Sequence, residues 1–239
     1  MVGRGEPLLR LVPALRRSLD QVVSHAAAWE LSNAEVLAGG PSGAPVWVVL
    51  GDSTAQGVGV ADLADGYVRR VAHLLERRDA TAWRVVNLSR SGAVLADVLD
   101  AQLVQLEALL EAGWEPALVS VVAGANDLRR ARSPDLVAQL LQVLGRLPAR
   151  SAVATLPRGL REPRARAANA VLVPEAQARG LRVIDLWAVT GPPWRGKYAD
   201  GLHPGAAGTT DWVRAFAAAH DLPAELDPPS PRPRRAPRG

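Results

Sequence analysis

The chain has 239 residues, of which 48% are hydrophobic, and a formal net charge of +4 at pH 7. It contains no cysteine, which excludes disulfide bonds, thiolate catalysis and cysteine-ligated metals. Residues 228–239 carry four arginines and no acid, so the remainder of the chain is neutral, and no specific nucleic-acid surface is expected in its folded part.

The first predicted element is an N-terminal amphipathic helix. Its apolar face consists of residues at three- and four-residue spacing, namely Leu8, Leu11, Leu15, Leu19, Val22 and Ala26. A basic helix of this kind can lie on a membrane surface or pack on the protein's own core, and we favour packing. A turn-rich connector follows at residues 39–43, so we predict residues 1–44 as helix and connector and residues 45–226 as one domain.

Short apolar runs then alternate with helical patterns. We predict strands at residues 46–50, 84–88, 118–123, 152–156 and 181–186, and helices at residues 66–78, 95–112, 134–147, 161–179 and 208–220. Most of these strands are apolar throughout, which is typical of parallel strands covered by helices on both faces. The alternation predicts a doubly wound α/β sandwich, whose ligands bind at the carboxyl ends of the strands.

Ser53 is the candidate nucleophile. It stands in the run Gly-Asp-Ser at residues 51–53, directly after the first predicted strand. A glycine-rich turn at this place can also bind phosphate, but neither Gly-Lys-Ser/Thr nor G-x-G-x-x-G is present. The chain also has no G-x-S-x-G, so the nucleophile elbow of the α/β-hydrolase fold is absent.

His203 is the candidate general base, because a serine hydroxyl needs an adjacent base to react at neutral pH. The other three histidines lie in helical patterns, whereas His203 follows the last predicted strand in a loop rich in glycine and proline. Asp200, three residues earlier, can accept a hydrogen bond from the imidazole and orient it. Taken alone, this spacing is common, and the aspartate can equally stabilise the loop.

Acyl transfer also needs hydrogen-bond donors for the developing oxyanion. Asn126 follows the third strand and offers a side-chain amide, while Gly92 follows the second strand and offers an unobstructed backbone N–H. Each has a structural alternative: a helix cap or Asx turn at Asn126, and an ordinary turn at Gly92.

Together, these four segments resemble those of the SGNH hydrolases, also called GDSL esterases and lipases. This family takes its name from serine, glycine, asparagine and histidine in that chain order. The resemblance runs from Gly51 to Gly205, and it implies a flavodoxin-like three-layer α/β/α sandwich with a five-stranded parallel sheet. It also implies Ser53 as nucleophile, Asp200 and His203 as its partners, and an oxyanion hole formed by the N–H groups of Ser53 and Gly92 and the side chain of Asn126.

The function that follows is hydrolysis of a small-molecule carboxylic ester, most simply a short-chain or O-acetyl ester, without metal or cofactor. Acyl transfer and thioester cleavage use the same chemistry, and a catalytically silent binding module of the same fold is the alternative from another class. Trp194, which precedes the Asp200 loop, can wall the substrate pocket or belong to a plain turn.

The sequence gives less direct information about cellular location and oligomeric state than about the site. No apolar stretch reaches the length of a transmembrane helix, and the N-terminus lacks the apolar region of a secretory signal, so a cytoplasmic location is expected. The proline- and arginine-rich segment 227–239 is expected to be disordered. The sequence leaves the oligomeric state open.

Overall fold

A computed structural model of the protein describes residues 13–41, 43–130 and 135–223. Its strands are β1 (Val46–Gly51), β2 (Arg84–Asn87), β3 (Leu118–Val122), β4 (Ala152–Ala154) and β5 (Arg182–Ile184). Its α-helices are α1 (Pro13–Ala38), α2 (Tyr67–Asp79), α3 (Leu95–Asp97), α4 (Leu103–Glu111), α5 (Ala125–Arg129), α6 (Leu136–Arg146), α7 (Glu162–Ala178), α8 (Leu186–Val189) and α9 (Ala206–Ala219).

The five strands form one parallel sheet in the order β2-β1-β3-β4-β5. This is the flavodoxin-like order, in which the chain reverses its direction of strand addition after β2. The predicted five-stranded parallel sheet is confirmed, and each strand begins within one residue of its predicted start. The strand order places β1 and β3 side by side, so the loops after them emerge next to each other.

Helices cover both faces of the sheet. Along β1, Val46, Val48 and Leu50 face a core shared with α3, α4, α6 and α7. The intervening residues Trp47 and Val49 face a second core shared with α2, α8 and α9. Because successive side chains of a strand point to opposite faces, a strand between two cores has to be apolar throughout.

The predicted helix 95–112 is interrupted. A π-helical segment, Val98–Gln102, separates α3 from α4, and such segments often occur at functional sites. Three short helical pieces were not predicted: α5, α8 and a 3₁₀ turn at Leu63–Asp65. Each is five residues or shorter, too short for a helical period to be recognised in the sequence.

Helix α1 packs on the domain, as predicted, but only in part through the predicted face. Leu8 and Leu11 lie outside the described residues, and Leu19 is 44% exposed. The buried positions are Ser18, His25 and Trp29. Of the predicted face, Val22 and Ala26 are half-buried, so the prediction was wrong at Leu19 and incomplete elsewhere. The buried face combines Trp29, which joins the core shared with α2 and α9, with polar groups that meet loops.

Helix α1 also covers the edge of the sheet. The side-chain amide of Asn33 accepts a hydrogen bond from the N–H of Asn87 and donates one to its carbonyl, both at 2.8 Å. These bonds pair backbone groups at the end of edge strand β2 that no further strand can reach.

Among the described residues, none of the helices combines the length and apolar character needed to span a bilayer. The predicted disordered tail, 227–239, lies outside the described residues.

Candidate active site

Ser53 lies in the turn immediately after β1 and is 7% exposed. The turn is held by Gln102, the last residue of the π-helical segment. Its side-chain amide accepts from the N–H of Gly51 at 2.8 Å and donates to the Gly51 carbonyl at 2.9 Å. Gln102 is fully buried, and it binds both the N–H and the carbonyl of Gly51. The backbone two residues before Ser53 is therefore held in place.

The structure brings Ser53 and His203 together, although they are 150 residues apart in the chain. The Ser53 hydroxyl is 2.9 Å from Nε2 of His203. On the other side of the ring, Nδ1 is 2.7 Å from Oδ2 of Asp200. Because an ionised carboxylate only accepts hydrogen bonds, Nδ1 carries the ring proton and Nε2 presents its lone pair to the serine.

Asp200 is held as a charged acceptor. Burial alone would raise the pKa of Asp200, but hydrogen bonds from the backbone N–H of His203, the Ser18 hydroxyl, the His203 ring and the N–H of Leu202 outweigh it. Together they lower the pKa of this carboxyl to about 2. The side chain is only 2% exposed. Asp200 is therefore ionised throughout the pH range in which a histidine acts as a base.

The loop that follows Ser53 is tied to the loop after β2 by Gln56, which is buried. Its side chain donates to the Ser89 carbonyl at 2.9 Å and accepts from the N–H and the hydroxyl of Ser91 at 3.1 and 2.6 Å. Gln56 therefore fixes the distance between the turn that contains Ser53 and the segment that contains Gly92.

Of the predicted oxyanion donors, Asn126 lies at the cavity with Ser53 and Gly92 does not. Asn126 lines the same cavity as Ser53, and its Nδ2 donates to the Ala93 carbonyl at 2.9 Å. The second N–H of that amide is left for another acceptor. Gly92 is exposed, with a φ of +79°, and does not line the cavity, so its neighbour Ala93 makes the connection to Asn126.

Ser53 and His203 open into a cavity of about 630 Å³. Its walls are mostly apolar, with the charged residues Arg158 and Glu162 among them. The large apolar and aromatic residues of the wall are Leu160, Trp194, Tyr198, Leu202 and Trp212. Trp194 lies in this wall, with its ring against Gly159. Within residues 13–41, 43–130 and 135–223, no three histidine or acidic side chains are grouped as metal ligands.

Three residues that support this geometry were not predicted from the sequence: Ser18, Gln56 and Gln102. Each is a buried polar side chain that bonds to a segment distant in the chain. A faint signal exists for Ser18. It begins a series with Gln21, His25, Trp29 and Asn33, whose three- and four-residue spacing places polar and aromatic groups on one face of α1.

The sequence pattern of the GDSL-like lipase/acylhydrolase family matches residues 49–210. This segment contains every predicted site residue and begins after α1. Comparison with curated protein sequences found no significant match.

Several solved structures are similar to this one. TesA is 26% identical, with a TM-score of 0.57, and the match covers 73% of this chain and 97% of TesA. A lipase/acylhydrolase from Enterococcus faecalis is 25% identical, with a TM-score of 0.54 and coverage of 77% and 100%. An acetylxylan esterase from Geobacillus stearothermophilus is 21% identical, with a TM-score of 0.57 and coverage of 75% and 95%. The last of these shows the fold alone.

Proposed function

The chain belongs to the GDSL-like lipase/acylhydrolase family, and on that basis we propose that it is a serine esterase that hydrolyses carboxylic esters. The observation that carries this proposal is the continuous hydrogen-bonded series Ser53, His203 and Asp200 at the wall of an apolar cavity. A serine hydroxyl bonded to an oriented imidazole is the arrangement that activates this nucleophile.

In the first half-reaction, Oγ of Ser53 attacks the ester carbonyl carbon while its proton passes to Nε2 of His203. The resulting imidazolium is stabilised by Asp200, which is already charged and bonded to Nδ1. The tetrahedral intermediate then collapses, the bond to the alcohol breaks, and the alcohol leaves with the proton from Nε2. The acyl group remains on Ser53.

Negative charge on the former carbonyl oxygen needs donors that are already in place. The N–H of Ser53 makes no hydrogen bond to any described residue, and Asn126, which lines the cavity, gives one of its two amide hydrogens to Ala93 and keeps the other for a ligand. We assign these two donors to the oxyanion. The N–H of Gly92 stays a prediction, because this residue does not line the cavity.

The second half-reaction returns the enzyme to its starting state. A water molecule gives a proton to Nε2 of His203 and attacks the acyl carbon, and collapse of the second intermediate releases the carboxylic acid. Ser53 recovers its proton from His203. This cycle needs no redox partner, because every step moves only protons and an acyl group.

For the substrate we propose short-chain acyl or O-acetyl esters, with the ester placed between Ser53 and the apolar wall that includes Trp194. The cavity volume is within the range of small-molecule sites. Its largely apolar wall suits an uncharged acyl or alcohol group, which gains stability when it leaves water.

The test is hydrolysis of nitrophenyl esters of increasing acyl length by the wild type, Ser53→Ala and His203→Ala. We expect both variants to lose roughly four to six orders of magnitude in kcat, since such residues act as a unit. A fluorophosphonate probe should label the wild type and not Ser53→Ala.

His73→Ala is the matched control, because His73 is a histidine whose side chain is 71% exposed and bonded only to Glu76 on its own helix. Its rates should equal those of the wild type. Equal rates for the wild type and Ser53→Ala would refute the proposal, and the acyl-length profile would separate a small-ester hydrolase from a lipase.

A further inference from the structure

Helix α1 precedes the matched family segment, yet it contacts the loops that carry the candidate site. One face of the helix bonds in turn to Asp200, to the loop after β1 and to the end of β2, through Ser18, Gln21, Trp29 and Asn33. Such a set of specific polar contacts is unusual for a helix that only covers an apolar core.

The contact at Asp200 is the shortest of this set. The hydroxyl of Ser18 donates to Oδ2 of Asp200 at 2.6 Å. The same oxygen receives Nδ1 of His203, whereas Oδ1 receives two backbone N–H groups. Ser18 is buried, so no water can replace it without a change in packing. With the hydroxyl present, each carboxylate oxygen has two donors, and rotation of the carboxylate away from the ring would break at least one of them.

The next turn of α1 bonds to the loop that packs against His203. The side chain of Gln21 accepts from the N–H of Gly59 at 2.9 Å and donates to the Val60 carbonyl at 2.7 Å. Gly59 is packed against His203 and Pro204. One turn of α1 therefore bonds to the acid and to the loop that supports the imidazole.

We propose that Ser18 is a positioning residue of the catalytic triad, which fixes Asp200 in the orientation that His203 requires. The inference rests on the proposed esterase function. Ser18 does not line the substrate cavity, so it acts through Asp200 and not on the substrate. The family segment is in this respect incomplete without α1.

The test compares Ser18→Ala, Ser18→Thr and Ser18→Val on a short nitrophenyl ester. Threonine and valine have the same shape and differ only in the hydroxyl, so their difference isolates the hydrogen bond from any effect of added volume. We expect kcat to fall roughly tenfold in the alanine and valine variants, as for a lost bond to a charged group, and to stay within about threefold in the threonine variant. KM should not change.

A second readout is the split between kcat and KM, which a merely structural role would not produce. Because Ser18 does not line the cavity, its loss should lower kcat and leave KM unchanged in the alanine and valine variants, and the threonine variant should keep both values close to those of the wild type.

Ser24→Ala is the matched control, since Ser24 lies on the same helix, is exposed and donates to backbone carbonyls of its own helix. Should a variant fail to fold, Ser18→Cys keeps the size of the side chain and provides a weaker donor in its place.

Equal kcat values for the threonine and valine variants, or a change in Ser18→Ala that lies in KM and not in kcat, would overturn the inference. Fluorophosphonate labelling of the wild type keeps the two failures apart. A wild type that is labelled and active, with variants that behave alike, removes only the role of Ser18, whereas a wild type without labelling removes the esterase function itself.

Discussion

Gly59 is the residue at which the loop after Ser53 meets the loop that carries His203. A Cβ atom at this position would lie 2.5 Å from the Pro204 carbonyl oxygen and 2.9 Å from Cβ of His203. The backbone also has a φ of +109°, which other residues rarely adopt. Position 59 therefore has two requirements: no side chain next to His203 and Pro204, and a positive φ. Only the first affects the position of His203.

Gly59→Ala should separate these two requirements when compared with Gly113→Ala. Gly113 has a φ of +84° but open space around its Cβ position, so it reports backbone strain alone. We expect Gly59→Ala to lower kcat/KM roughly a hundredfold, since a displacement of about 1 Å at a catalytic group has effects of that size. The control should lose stability but keep its activity. Ester hydrolysis by folded protein measures both, and near-normal activity in Gly59→Ala would contradict the close contact.

The same residue scale shows what the sequence can predict of a site. Four site residues were identified from the sequence, because each has a side chain suited to the chemistry and lies after a predicted apolar strand: Ser53, Asn126, Asp200 and His203. Ser18 was not, since its partner is 182 positions away and serines are common on helix surfaces. A supporting residue is defined by its contact, and the contact exists only in the folded chain.

At the scale of elements, α1 is anchored by one aromatic residue. Trp29 is 2% exposed, its Nε1 donates to the Gln56 carbonyl at 3.3 Å, and the Arg69 guanidinium lies 4.1 Å from the ring centre. The ring thereby joins α1 to α2 and to the loop that follows Ser53.

Trp29→Ala should lower the free energy of unfolding by about 3–5 kcal/mol, as expected for a large aromatic side chain removed from a core. Leu31→Ala is the control, because Leu31 lies on the same helix and is 70% exposed. Its effect should stay within about 0.5 kcal/mol. Urea denaturation of the two variants gives the comparison, and similar losses would mean that α1 is not anchored at Trp29.

The strands were predicted more accurately at their starts than at their ends. Strand β5 was expected to reach residue 186, but it ends at Ile184, and Asp185 then accepts from the N–H of Ala188 to begin α8. An apolar run continues through Leu186 into that helix, so hydropathy cannot mark the boundary. For α1, the apolar period revealed only part of the buried face, because the polar residues Ser18 and His25 are also buried on it.

At the scale of the whole molecule, a parallel sheet with a core on each face could be expected from strand composition and alternation, whereas the flavodoxin-like strand order was implied only by the resemblance to the SGNH hydrolases. The convergence of residues 53 and 203 followed once the parallel sheet was assumed, since its carboxyl ends share one edge. What could not be expected is the ionisation of groups far from the site, which depends on packing between elements distant in the chain.

His220, at the end of α9, is such a group. Burial lowers its pKa to about 4, and the nearby Arg182 and Arg78 act in the same direction, against a smaller opposing effect of Asp221. The ring is stacked on Phe216. In the unfolded chain a histidine has a pKa near 6.5. Between these two values the unfolded state binds more protons than the folded state, so stability has to fall as the pH is lowered from about 6.5 to about 4.

From its shift, His220 accounts for a loss on the order of 2 kcal/mol in the free energy of unfolding between pH 7 and pH 5. His220→Gln removes the titrating group, and we expect it to lose less than half as much over the same range. The remaining change includes His25, whose pKa burial also lowers. His73→Gln, at an exposed position, should behave as the wild type. Urea denaturation at the two pH values measures all three proteins. An identical loss in the wild type and His220→Gln would show that acid destabilisation arises elsewhere in the fold.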